Sequence, residues 1–202
     1  MTQFEQTIKK ALINYCNEVN KYYKAGNIES SFNKPVIDLI QAFGCSAHDF
    51  SGERSGITGE NIDIKLWHIN EDINTIPPFG AIEVKKVGGE DDRARKQIII
   101  EAKKFGNVIL TDNAVWKFYH ADSEQMYNGF KLLIKNDKNE FELDESKIDL
   151  FIATIKDFIL EKPGNIRSSN RLAYYMSEYA KTIKTIVYNI LKADTIMSIP
   201  SD

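Results

Sequence analysis

The chain has little cysteine, little proline and no excess of basic charge, and each shortage closes a class of explanation. Two cysteines in 202 residues, Cys16 and Cys45, make neither a disulfide framework nor a CxxC metal site; both stand in apolar contexts and read as buried thiols of a reducing compartment. His48, His68 and His120 are scattered without ligand spacing, so a zinc site is not expected. Five prolines and eleven glycines leave no low-complexity segment, and there is no internal repeat. No apolar run is long enough to span a bilayer, and residues 1–5 do not begin a basic-then-apolar leader, which points to a cytoplasmic chain with no membrane partner. With 26 basic and 29 acidic residues and a net charge of −3, any grip on nucleic acid has to come from a local basic patch.

What is present is ordinary globular material, 43% hydrophobic and 27% charged, enough for one sizeable core and an appendage. Phe4, Ile8, Leu12, Tyr15, Val19 and Tyr22 recur at three- and four-residue steps and predict a helix over residues 2–24, stopped near Gly26. A second helix is expected over 29–43, opened by Glu29, with Pro35 in its first turns and Gly44 at its stop. Residues 49–58 are polar and read as an edge strand or a loop. Residues 107–111 and 114–120 read as a hairpin turned at Asp112-Asn113, and 129–135 with 140–143 as another pair. A short helix over 150–160 ends at Lys162-Pro163-Gly164, the clearest boundary in the chain. Beyond it Leu172, Met176, Tyr179, Ile183, Ile186 and Ile190 form a long apolar stripe that needs a partner surface.

Two short segments carry the chemistry. In residues 59–66 and 81–86 apolar and charged residues alternate with the period of a strand, Ile62, Ile64 and Leu66 on one face of the first and Asp63 and Lys65 on the other. In the second, Ile82 and Val84 point to the core and leave Glu83 and Lys85 together on the opposite face. The polar loop 68–80, with Pro77-Pro78, connects the two as neighbours. A solvated hairpin with four charges in cross-strand pairs, each worth about 0.2–1 kcal/mol, satisfies this pattern. So does a phosphodiesterase centre: Asp63, Glu83 and the peptide oxygen of Val84 hold a hard divalent cation that keeps some of its waters, and Lys85 positions the attacking water. After Glu90-Asp91-Asp92 a helix is expected with Ile98, Ile99 and Ala102 inward. Its Arg93, Arg95, Lys96, Lys103 and Lys104, with Lys86 just before, form either a solvated face or a phosphate-binding one. Gln97 stands among them, within reach of a water or a phosphate.

A carboxylate on one strand, a second about twenty residues on and a lysine two residues after it match the PD-(D/E)xK signature, with Ile62 in place of its proline. The ordered set Glu29-Ser30-Ser31-Phe32, Asn61-Ile62-Asp63-Ile64, Ile82-Glu83-Val84-Lys85, Gln97, Asn107-Val108-Ile109-Leu110-Thr111-Asp112 and Trp116-Lys117-Phe118-Tyr119 goes further. It resembles the N-terminal endonuclease domain of type IIG-like fused restriction-modification proteins, in which the nuclease precedes an N6-adenine DNA methyltransferase. Asn165-Ile166-Arg167-Ser168-Ser169 and Leu172-Ala173 resemble the helix leading toward that methyltransferase. The resemblance is tight over residues 29–119 and looser from 166 onward; Asn33 departs from it, standing where the family tends to carry a basic residue.

The resemblance implies an α/β (α+β) fold: a restriction-endonuclease-like PD-(D/E)xK core over residues 1–162, with a mixed central β-sheet flanked by helices, and a helical extension over 163–202. It implies a metal-dependent endonuclease acting on double-stranded DNA, with Mg2+ or Mn2+ at Asp63 and Glu83, Lys85 catalytic, and Glu29 and Gln97 assisting; Glu29 is then either an acid that favours its helix N-terminus or a third carboxylate near the metal. Neither a glycine-rich cofactor loop nor an Asn/Asp-Pro-Pro-Tyr/Phe tetrapeptide occurs here, so this chain alone is not expected to methylate; the resemblance implies either a methyltransferase in the same or an adjacent chain or a free-standing relative of the nuclease module. The alternative expectation is a weakly active or inactive DNA-binding and docking module of the same fold.

Overall fold

The computed structural model describes residues 3–51, 62–74, 76–89, 96, 98, 105–120 and 126–160, with helical positions 172, 173, 176, 177, 179, 180, 183, 184, 186–188 and 190–192. Helix α1, Gln3–Lys24, buries Ile8, Leu12, Tyr15, Cys16 and Val19 along one stripe. It ends as its sequence demands: Gly26 takes a left-handed φ of 65°, and the N–H groups of Gly26 and Asn27 donate to the Tyr23 and Tyr22 carbonyls, closing a Schellman cap. The second helix starts later than expected. Glu29–Phe32 form a 3-10 turn, and α2 proper is Asn33–Ala42.

Six strands make one mixed sheet in simple sequence order: β1 Cys45–Asp49, β2 Ile64–His68, β3 Gly80–Val84, β4 Asn107–Thr111, β5 Val115–His120 and β6 Met126–Lys131. All neighbours are antiparallel except β3 and β4, which run parallel with Gly80 opposite Asn107 and Val84 opposite Thr111. A parallel pair needs a crossover; the described crossover residues Lys96, Ile98 and Phe105 are helical. Every residue of β3 and β4 is buried, as strands covered on both faces must be. Gly80 is required by this closeness, since a Cβ there would stand 2.9 Å from the Asn107 carbonyl oxygen.

Two clusters cover the sheet. Ala47, Ile64, Leu66, Ile82, Val84, Ile109, Trp116, Phe118 and Phe130 share the larger core with α1, α2 and helix α3, Glu145–Leu160. Ala81, Val108, Leu110 and Tyr119 face the other way, against Ile62, Ile98 and Phe105. The small pair β7 Leu133–Lys135 and β8 Phe141–Leu143 closes on α1, where Asn20 donates to and accepts from the Phe141 backbone at 2.7 Å each way. The single strand expected over 129–135 is thus two, broken at Leu132, whose N–H turns aside to the Ala114 carbonyl.

Phe151 of α3 is the joint of the larger core, fully buried with its ring 5.2 Å from Trp116 and 6.4 Å from Phe43. Phe151→Ala is expected to destabilise the chain by about 3–5 kcal/mol through lost burial and the cavity left behind, read as a lower denaturant midpoint at unchanged m-value.

Both cysteines are buried free thiols. Among the described residues no helix is long and apolar enough to cross a membrane. The fold is mixed α/β; the boundary expected after residue 162 lies outside the described residues. The described positions from 172 to 192 are helical and exposed.

Candidate active site

The site forms where the ladder between β2 and β3 ends. Ile64 lies opposite Ile82, so continuing the antiparallel register brings residue 63 opposite Glu83. The chain bends at Asp63 and enters the strand only at Ile64. That bend corrects one expectation: Ile62 does not share a face with Ile64 and Leu66 but joins the opposite cluster, because strand alternation does not extend through a residue outside the strand.

Asp63 is fastened at both sides. Its carbonyl accepts the Phe50 N–H at 2.8 Å, and its Oδ2 accepts the Val84 N–H at 2.8 Å. Glu83 is only 3% exposed, which excludes the solvated surface pair that the alternation alone allowed. Its Oε1 accepts from the Lys85 ammonium at 2.8 Å, while its Oε2 finds no hydrogen-bond partner among the described residues. Lys85 Nζ also donates to Glu29 Oε1 at 3.0 Å, and Glu29 is the half-exposed member through which the cluster meets the surface. Glu29, read from sequence as a helix-opening acid or a third carboxylate, stands at the site.

The electrostatics follow from this crowding. Burial pushes the Glu83 carboxyl up to about 7, and the neighbouring charge of Asp63 adds to it, against the hydrogen bond and charge of Lys85. Burial likewise pushes Asp63 up to about 6, although the Val84 N–H and Lys85 favour its ionised form. Burial works against the Lys85 ammonium too, but the hydrogen bonds and charges of Glu83 and Glu29 outweigh it and hold that group above its usual value. Among the described residues three carboxylates thus meet one ammonium, and two of them resist ionising chiefly because they are buried, with repulsion from neighbouring carboxylates adding to it.

A hard divalent cation fits that deficit. Asp63, at the bend before β2, and Glu83 of β3, whose Oε2 has no hydrogen-bond partner among the described residues, could supply carboxylate oxygens, and Val84 between Glu83 and Lys85 a peptide oxygen. No group of three or more His, Cys, Asp or Glu side chains among the described residues is already arranged as a metal cage. Two carboxylates with water completing the sphere is the manner in which Mg2+ is held.

Asp49, at the end of the edge strand β1, was not singled out in the sequence, yet its charge is among those that raise Asp63. It accepts from Ser51 N and Oγ at 2.9 and 2.7 Å and from the buried Asn33 amide, 3.3 Å from each oxygen. Asn33 of α2 therefore secures that acid beside the site. No local pattern marks this pair, since helix and strand bring them together. Lys65 lies over the Phe50 ring at 4.5 Å. Lys86 and Lys96 are exposed; Gln97, Arg93, Arg95, Lys103 and Lys104 lie outside the described residues. Two grooves of about 590 and 650 Å³ run between α1 and α3 and include none of Asp63, Glu83 or Lys85.

Comparisons with protein-family models, with curated proteins and with solved structures gave no match.

Proposed function

We propose that this chain is a metal-dependent DNA endonuclease domain of the restriction-modification kind, hydrolysing phosphodiester bonds at Asp63, Glu83 and Lys85. The observation that carries the reading is the buried Glu83, with one oxygen on Lys85 and the other without a partner among the described residues, beside Asp63 at the mouth of the neighbouring strand. A bound Mg2+ or Mn2+ acidifies a coordinated water and offsets charge on the phosphate. Asp63 and Glu83 hold that ion. Lys85 stays an ammonium across the neutral range and presents its protons to the attacking water and to the charge that develops on the phosphate oxygens. Glu29 holds the ammonium from the solvent side until a phosphate takes that place.

Lys86 and Lys96, with Arg93, Arg95, Lys103 and Lys104, supply the phosphate contacts in this reading, and Gln97 assists at the water. Binding should weaken steeply with salt, because each neutralised phosphate releases counterions. The family resemblance extends the proposal to an N6-adenine methyltransferase in the same or an adjacent chain and to the cytoplasm.

A second reading, a docking module without chemistry, is favoured by one feature. The stripe Leu172, Met176, Tyr179, Ile183, Ile186 and Ile190 is between 45% and 63% exposed, far more apolar surface than one helix ordinarily leaves in water. Supercoiled plasmid incubated with the purified chain separates the two. The nuclease reading expects nicked or linear product in Mg2+ or Mn2+ and none with chelator. Intact plasmid in both metals, with DNA or a methyltransferase bound, leaves only the docking module.

A further inference from the structure

The end of β4 and the turn after it hold the N–H and the carbonyl of Lys85 between them. The Lys85 N–H donates to the Thr111 carbonyl at 2.7 Å, and the Asn113 side-chain amide donates to the Lys85 carbonyl at 2.9 Å. Asn113 is fully buried, with a left-handed φ of 70° that asparagine and glycine adopt far more readily than other residues. Its N–H donates to Thr111 Oγ1 at 2.9 Å, and its carbonyl accepts the Tyr15 hydroxyl of α1 at 2.7 Å. Burial lifts that phenol well above its usual pKa, so it remains a donor. Asp112 adds a third fastening, its Oδ2 accepting the Gly88 N–H at 3.0 Å while its Oδ1 accepts the N–H groups of Ala114 and Val115.

These contacts matter because of where Lys85 lies. The parallel ladder stops at Val84 opposite Thr111, so Lys85 is one residue past the last strand pair, where a chain ordinarily frays. A lysine side chain has four rotatable bonds, and fixing the backbone it starts from narrows the positions open to its ammonium, which meets both Glu83 and Glu29.

We propose that Asn113, braced by Tyr15, is a positioning residue for Lys85: its amide sets the backbone from which the Lys85 ammonium reaches Glu83 beside Asp63. The consequence for cleavage rests on the nuclease reading; the placement of the lysine does not.

Asn113→Gly keeps the left-handed turn and deletes the amide, and Tyr15→Phe keeps the ring and deletes the hydroxyl. Asn139→Gly, at the left-handed position of the exposed β7–β8 turn, is the control. In the full chain two quantities are measured: the rate at which a small amine-acylating reagent modifies Lys85, read by peptide mass spectrometry, and kcat and KM for Mg2+-dependent cleavage. Asn113→Gly is expected to speed acylation several-fold. It should lower kcat by about tenfold to a hundredfold, the scale on which a small misplacement acts, with KM little changed. Tyr15→Phe moves both in the same direction by less, and decides alone if Asn113→Gly does not fold; Asn139→Gly moves neither. Unchanged Lys85 reactivity in the folded variants overturns the proposal whatever cleavage does. Faster acylation in a chain whose wild type cuts no DNA keeps the positioning role and removes the nuclease.

Discussion

Glu83→Gln and Lys85→Met are each expected to lower Mg2+-dependent DNA cleavage by about a thousandfold or more while leaving a folded chain. The magnitude follows from what each group does. A positioned proton donor or acceptor contributes roughly 10²–10⁴-fold, and Glu83→Gln also weakens the hold on the cation. About a thousandfold corresponds to roughly 4 kcal/mol of transition-state stabilisation. Glu83 already sits with one oxygen unpartnered in a buried place, so a neutral glutamine of the same shape should not lower the melting temperature. Lys85→Met is the harsher change, since it leaves Glu83 beside Asp63 without its ammonium and drives Glu83 to bind a proton. Single-turnover cleavage rates beside melting curves check both. Cleavage by Glu83→Gln within tenfold of wild type would place the chemistry elsewhere.

Magnesium is expected to raise the melting temperature near pH 8 and to do little near pH 5. Asp63 and Glu83 titrate at about 6 and about 7 in the folded chain, against roughly 4 for such groups in an unfolded one. Between about pH 4 and pH 7 the folded state therefore binds more protons than the unfolded state, and stability falls as pH rises through that window. By about pH 8 the whole penalty, on the order of a few kcal/mol, is present. A cation that binds only the native, ionised pair reverses it, and a ligand at a hundred times its Kd adds about 2.7 kcal/mol. Near pH 5 protons already occupy the pair and leave the ion little to gain. Melting curves at the two pH values, with and without Mg2+, give the comparison. Equal shifts at both would mean that the ion binds outside this pair, and in Glu83→Gln the difference should shrink.

Much of the fold was legible because its signals are periodic. The stripe of Ile8, Leu12, Tyr15 and Val19 in α1 is buried as its spacing predicts, and β4 occupies the residues assigned to it. β1 was not assigned, because an edge strand built of Cys45, Ser46, Ala47, His48 and Asp49 carries too few large apolar residues to alternate visibly. Alternation puts Ile62 on the face of Ile64, and the bend at Asp63 turns it to the other. Asp112-Asn113 is legible as a turn, but nothing local shows that the Asn113 amide reaches back across the sheet to Lys85.

The sequence by itself determined which groups are on offer: a strand with an acid at its mouth, a second strand carrying an acid and a lysine two residues apart, and helices with one apolar side. Only the tertiary structure decided that Asp63 stands at the end of β3, that Glu29 reaches Lys85 across 56 residues of chain, and that Glu83 is buried deeply enough to hold a proton near neutrality. Spacing encodes what neighbours along the chain do. Register, burial and the electric field at a carboxylate come from residues distant in sequence, and they exist only once the sheet has closed.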